Sequence, residues 1–305
     1  MMLHNFAELV QVVKACPQRR IVAVAAAADG SVIDAVLHAE REGIATPIYI
    51  GDGSAIATLL RERDVNPTSC EIVDAVEGTE GQRAAELIKD GTAHVLMKGL
   101  METRDFLGPI VKKENDLRTG NIMSHAVFFE LPHYHKLLMS TDGGMVMYPS
   151  LADKQHIIEN ATTALRAMGY DLPKHAVVCA IEKLNPKMLE TVEAAELKRM
   201  NLADEIKHCI VEGPISYDVA MSPEIARHKG YDSPYVGDFD CLIMPNMQAG
   251  NILGKCFTVT VGAPMAGIIV GAKAPAVMTS RGSDADEKFY SIAMAAWMAV
   301  GMETI

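Results

Sequence analysis

With 305 residues, 49% of them apolar and 22% charged, the chain is large enough for two modest folded units and unlike a disordered protein. The 28 Lys and Arg against 39 Asp and Glu leave a net charge of -11, which disfavours a nucleic-acid partner, whose phosphates demand clustered cations. No apolar run reaches the ~20 residues of a membrane helix, and the opening residues lack a basic-then-apolar leader, so a cytoplasmic protein with no membrane partner is expected.

The first part of the chain alternates strand and helix patterns. Residues 20–26 read as a buried strand, apolar after Arg20, and 31–42 as a helix stopped by Gly43. A strand at 46–50 leads into a helix at 54–63, and further strands fall at 71–73 and 94–97. Between these last two, 80–90 has helical spacing with Gly91 as its stop. Repeated units of this kind build a mostly parallel sheet covered on both faces. Beyond Asn121 the rhythm changes, with neighbouring strands at 124–130 and 136–140 and then a helix capped by Asp153 that runs to Met168. Strands follow at 175–181, 209–212 and 241–244, with helices at 187–200 and from Ser222. The chain closes with a strand at 275–280 and a helix at 284–302.

Several familiar motifs are absent or incomplete. Gly51-Asp52-Gly53 lacks the third glycine of a dinucleotide fingerprint, since Ile56 stands there, and reads as a strand-to-helix turn. The run from Gly250 to Lys255 is one residue short of a phosphate loop and is followed by Cys256 instead of Ser or Thr. The six cysteines show no CxxC spacing and read as buried thiols, and with His133 and His135 they offer no metal-ligand pattern, so no metal is expected.

Three polar segments, each following a strand, carry the functional signal. They are Glu212-Gly213-Pro214-Ile215-Ser216-Tyr217-Asp218, the stretch Pro245-Asn246 through Gly250-Asn251 to Lys255, and Thr279-Ser280-Arg281-Gly282 leading into the last helix. Ligands of open α/β sheets bind beyond the carboxyl ends of strands, where all three would lie.

In order and spacing these segments resemble the signatures of the phosphate acetyl/butyryltransferase family. Leu96-Met97-Lys98-Gly99 with Thr103, then Ser124-His125, and Glu182-Lys183-Leu184-Asn185-Pro186 with Thr191, are similar to the butyryltransferase-like branch. The resemblance implies an isocitrate-dehydrogenase-like fold of two α/β domains around a cleft, usually a homodimer. The first domain would be discontinuous, 1–127 plus 271–305, and the second would be 128–270. It implies transfer of a short acyl group, butyryl or branched before acetyl, between coenzyme A and inorganic phosphate. Acyl-CoA, phosphate and acyl phosphate are then the partners, and no cofactor is permanently bound. The competing readings are a phosphate acetyltransferase and a metal- and NAD-dependent dehydrogenase on the same scaffold.

The resemblance also assigns residues. Ser280 and Arg281 fall at the reacting centre, Arg281 as a forked donor to phosphate and Ser280 as a donor to the carbonyl oxygen. The base that takes the thiol proton is Asp286 or Glu287, although Asp284 followed by Glu287 is equally a helix-capping pattern. A thiol near pKa 8.5 donating to an ordinary carboxylate is uphill by about 6 kcal/mol, so burial must raise the base or Arg281 must stabilise the thiolate. Arg104, Arg118 and Lys98 are candidates for binding phosphate, and Gly99 and Thr103 for binding substrate. Arg104 lies one helical turn before Gly108, where the acetyltransferase branch carries arginine. Gly250 and Asn251 are candidates for close backbone approach or for binding coenzyme A, Lys255 for meeting one of its phosphates, and Asp218 and Asn246 for binding substrate.

Overall fold

The computed structural model describes residues 2–279 and 282–304. The chain forms two compact units, one of Phe6–Gly120 and Ala266 onward, the other of Asn121–Met265 with the short segment before Phe6. These limits differ from the expected 127/128 and 270/271 because Ser124–Phe129 is one strand, which a break after 127 would cut, and Met265–Val270 pairs with the strand that follows it.

In the first of these units, α1 (Phe6–Ala15) precedes β1 (Arg20–Ala25), α2 (Gly30–Arg41), β2 (Ala45–Gly51), α3 (Gly53–Arg61), β3 (Glu71–Asp74), α4 (Glu80–Lys89), β4 (Val95–Lys98) and α5 (Thr103–Val111). β1 is buried almost throughout, as a strand covered on both faces requires. α2 starts where Asp29 accepts from Val32 N (2.9 Å), and Gly43, at φ 74°, follows its end. The sheet runs β3-β2-β1-β4 with every neighbour parallel. It is completed by β11 (Ala276–Val277), parallel to β4, and β10 (Met265–Val270), antiparallel to β11. α11 (Ala285–Met302) packs on α2 and β1.

The second unit contains β5 (Ser124–Phe129), β6 (Leu138–Thr141), α6 (Leu151–Ala167), β7 (Lys174–Val178), α7 (Leu189–Leu202), β8 (Ile210–Ile215), α8 (Tyr217–Met221), α9 (Pro223–Lys229), β9 (Cys241–Ile243) and α10 (Met247–Lys255), the last running into a π-helical turn at Cys256–Thr260. Strand order is β5-β6-β9-β7-β8, parallel except for the β5–β6 pair. Its core gathers Val127, Phe129, Leu138, Ile215, Phe239, Leu242 and Phe257.

Ser150, not Asp153, is the N-cap of α6. Asp153 N donates to Ser150 Oγ, and Asp153 returns a carboxylate to Ser150 N (2.9 Å), closing a capping box. The thiols of Cys179, Cys209 and Cys241 are buried, but Cys256 is exposed on the π turn. Among the described residues no helix is long and apolar enough to cross a membrane.

Candidate functional site

In the Asn121–Met265 unit the polar groups collect at the carboxyl ends of the parallel strands. Where β6 ends, Asp142 is only 2% exposed and its carboxylate organises the following turn. Oδ1 accepts from Gly144 N and Met145 N, both at 2.7 Å, while Oδ2 accepts from His125 N at 2.8 Å. Such a carboxylate fixes backbone as an anion held by several N–H donors.

Beside this turn, β9 feeds α10. Asn246 caps α10 by accepting from Ala249 N (3.0 Å), and Asn251 Nδ2 donates to Gly143 O (3.2 Å). Gly250 has to be glycine for reasons of space: a Cβ there would lie 2.6 Å from Asp142 O and 2.9 Å from Gly143 Cα. Gly250 and Asn251 therefore pack directly against the Asp142–Gly143 turn, with Asn246 at the cap of the same helix. Lys255 lies at the far end of α10, exposed.

At the ends of β7 and β8 a second group forms. Ser216 Oγ donates toward the carboxylates of Glu182 and Asp218, and Lys229 Nζ bridges them at 2.9 and 3.0 Å. Burial works to raise the Glu182 carboxyl, but the Ser216 hydroxyl and Lys229 hold it below its ordinary value. The same hydroxyl, then Lys229, hold Asp218 low. Asp218 is thus already paired with a cation, a poor starting point for binding an anionic ligand directly.

In the other unit, β4 delivers Lys98, half-buried, whose Nζ lies 3.5 Å from Gly99 O. Gly99 passes hard against β1: a Cβ would meet Ala26 O at 2.2 Å and Ala25 O at 2.6 Å, so its glycine is demanded by chain crossing. Thr103 and Arg104 open α5 and are exposed. Arg118 is exposed and bridges in antiparallel fashion to Ala272.

The start of α11 separates the two candidate bases. Asp284 caps the helix, accepting from Glu287 N at 2.7 Å. Asp286 is exposed, whereas Glu287 is half-buried and its Oε1 accepts from Ser283 Oγ at 2.6 Å. Burial pushes the Glu287 carboxyl above its ordinary value; the Ser283 hydroxyl opposes this, Asp284 adds to the rise and Lys288 counters it. Lys288, itself buried, donates from Nζ to Ser283 O (2.6 Å). Ser280 and Arg281 lie outside the described residues.

A cavity of about 560 Å³ at the ends of β1, β2 and β3 is lined by Ala26, Asp52, Asp74, Glu77, Glu80 and Leu100 among others. Four carboxylates and no described cation make it unsuited to phosphate. Among the described residues no group of three or more His, Cys, Asp or Glu is placed to hold a metal ion.

Sequence reasoning left Asp142, Gly143 and Gly144 out of the site, and took Ser124-His125 only as a branch signature. The signal available was an Asp-Gly-Gly run directly after a strand.

Fold and site define an α/β protein whose polar side chains gather beyond the carboxyl ends of parallel strands. The model of the phosphate acetyl/butaryl transferase family matches residues 77–296. The chain is 39% identical over 299 residues to a phosphate butyryltransferase of Clostridium acetobutylicum, covering 98% of this chain and 99% of that one. It is also 39% identical over 278 residues to a phosphate acetyltransferase of Thermotoga maritima, covering 91% and 95%. Among solved structures, a branched-chain phosphotransacylase from Enterococcus faecalis superposes with a TM-score of 0.81 at 31% identity, covering 92% of this chain and 99% of that one. The chain belongs to the phosphate acetyl/butaryl transferase family.

Proposed function

We propose that the protein transfers a short acyl group, butyryl or branched in preference to acetyl, between coenzyme A and inorganic phosphate. The observation that carries the chemistry is Glu287: a half-buried carboxyl whose proton affinity is raised by its surroundings and which a serine hydroxyl holds in place. Raising the carboxyl narrows the gap to a thiol, which is what a base for thiol attack requires.

In the acyl-phosphate-consuming direction, Glu287 takes the thiol proton and the sulfur attacks the acyl carbonyl. The carbon–oxygen bond to phosphate then breaks, releasing phosphate and the thioester. Arg281 serves as the phosphate partner and steadies charge as it moves onto the leaving oxygen. Asn246, Gly250 and Asn251 supply the surface for coenzyme A, with Lys255 toward its phosphates. Lys98, Thr103, Arg104 and Arg118 are secondary phosphate contacts. On this reading the chain works in the cytoplasm as a homo-oligomer with no permanently bound cofactor. Preference for four-carbon over two-carbon acyl groups is supported by the butyryltransferase and branched-chain relatives.

The test is thiol release from acetyl-, butyryl- and isobutyryl-CoA with and without phosphate. Phosphate-dependent release favouring the four-carbon substrates is expected. Release with acetyl-CoA alone overturns the acyl preference, and no release from any of them overturns the reading. In a folded Arg281→Ala protein turnover should fall by at least about 100-fold.

A further inference from the structure

The acidic cavity at the ends of β1, β2 and β3 continues into a second one. This neighbour, of about 290 Å³, lies at the starts of α4 and α5, and Glu77, Glu80 and Leu100 line both. The two form one groove, built entirely within the Phe6–Gly120 stretch of a single unit. Its narrow part exists because Gly81 has no side chain: a Cβ there would lie 2.5 Å from Asp105 O.

Carboxylates stand at both ends of this groove and in its middle. At one end Asp52 and Asp74 each use only Oδ1 on backbone. Asp52 accepts from Ser54 N (2.9 Å) and Ala55 N (3.0 Å), and Asp74 from Gly53 N (2.9 Å). Among the described residues Oδ2 of each has no hydrogen bond. Asp105 marks the other end, and Glu80 the junction.

Glu80 is the telling residue. It is only 8% exposed, yet among the described residues its carboxylate accepts no hydrogen bond and meets no cation. A helix start favours a negative charge, but an exposed carboxylate would serve there without losing its water. A buried, unpaired carboxylate that lines a groove is complementary to a cation brought from outside. Val76 and Leu100, 76% and 56% exposed, add apolar surface beside it.

A single metal ion is the wrong occupant, because among the described residues no three carboxylates converge closely enough to hold one. Negative charges spaced along a groove, with apolar side chains between them, instead match ammonium groups parted by methylenes. The larger cavity alone, about 560 Å³, has the size of a small-molecule site.

We propose that this groove binds an aliphatic polyamine, one ammonium on Glu80, others toward Asp74 and Asp105, and methylenes against Leu100 and Val76. The site is separate from the acyl-transfer reading and stands or falls without it.

The experiment is calorimetric titration of the full chain with spermidine at about 0.15 M salt, where diffuse surface attraction is largely screened. Saturable one-to-one binding with Kd below about 1 mM is expected. Glu80→Gln keeps the shape and removes the charge, and should weaken binding at least about tenfold. Glu77→Gln, on the exposed rim, should weaken it about threefold, and Glu71→Gln, exposed on β3 outside the groove, by less than about 1.5-fold. Each variant is checked for folding by its melting curve. Three results overturn the site: no saturable binding, full displacement of spermidine by an equal concentration of Mg²⁺, or equal weakening by Glu80→Gln and Glu71→Gln. The last would mean general attraction to a chain of net charge -11. If Glu80→Gln does not fold, the comparison of Glu77→Gln with Glu71→Gln decides alone.

Discussion

Ser283 Oγ donates to Glu287 Oε1 at 2.6 Å, linking the residue just outside the last helix to one in its first turn. A hydroxyl that donates to a carboxylate favours its charged form, so Ser283 holds down a carboxyl that burial pushes up. The two effects oppose each other at the atom proposed to receive the thiol proton.

The acid limb of kcat/KM for thiol attack should therefore lie above the ordinary carboxyl value of 4.5. Ser283→Ala removes only the lowering contribution, so its limb should move to higher pH. A pH–rate series on both proteins checks this. A limb that stays put or moves to lower pH would show that Glu287 is not the group being titrated.

Glu287→Gln should reduce turnover in the same direction by about 100-fold or more, the usual scale for losing a positioned base. Asp286→Asn, altering an exposed side chain in the same turn, should stay within about threefold of the parent. Steady-state rates with butyryl phosphate distinguish the pair, and the reverse ranking would transfer the role to Asp286.

Two helical glycines should respond differently to alanine. At Gly250 the new methyl meets backbone atoms at 2.6 and 2.9 Å, so Gly250→Ala should lose about 1–3 kcal/mol and most activity. At Gly108, inside α5, only chain neighbours lie within 4 Å of the added carbon, but one of them is Pro109, which disfavours a helical residue with a Cβ before it. The helix-propensity gain is offset, and Gly108→Ala should stay within about 0.5 kcal/mol of the parent with activity kept. Urea titrations give both numbers. A Gly250→Ala protein as stable as the parent would contradict the close approach of α10 to the Asp142 turn.

His175 is fully buried on β7 with Nε2 2.9 Å from Thr162 Oγ1, and burial drives its pKa from 6.5 down to about 3. The unfolded chain takes up this proton near 6.5 and the folded chain does not. Stability is therefore intact above that pH and falls as pH drops from 6.5 toward 3, by up to ~1.4 kcal/mol per unit. Comparing wild type with His175→Gln isolates this contribution from other histidines. Urea midpoints at pH 7 and 5.5 should converge between the two proteins at the lower pH; parallel slopes would mean that His175 protonates inside the fold.

Much of the strand–helix frame could be read directly because it rests on local chemistry. β1 is apolar at every position after Arg20, and Asp29 and Gly43 bracket α2 as caps do. The errors arise where one residue type serves two purposes. Ser150 and Asp153 are both capping residues, and only the backbone shows which of them stands at the cap. Gly250 sits inside a helix, where its sequence cost is plain but its reason, the carbonyl of Asp142, belongs to a segment far along the chain. Asp142, Gly143 and Gly144 were missed for the same cause: a glycine reports a close approach without naming what approaches. The contrast between Asp286 and Glu287 depends on burial, which neighbouring letters do not encode.

The interleaving of the two units also bears on how the chain is made. The unit that begins at Phe6 keeps β4 without its partner β11, and β1 without the cover of α11, until residues beyond Ala266 exist. The stretch Asn121–Met265, by contrast, has its own five strands and its own core in one uninterrupted piece. On the ribosome the later-made unit can close first, while the earlier-made one waits with an unpaired strand edge for the carboxyl-terminal segment to emerge.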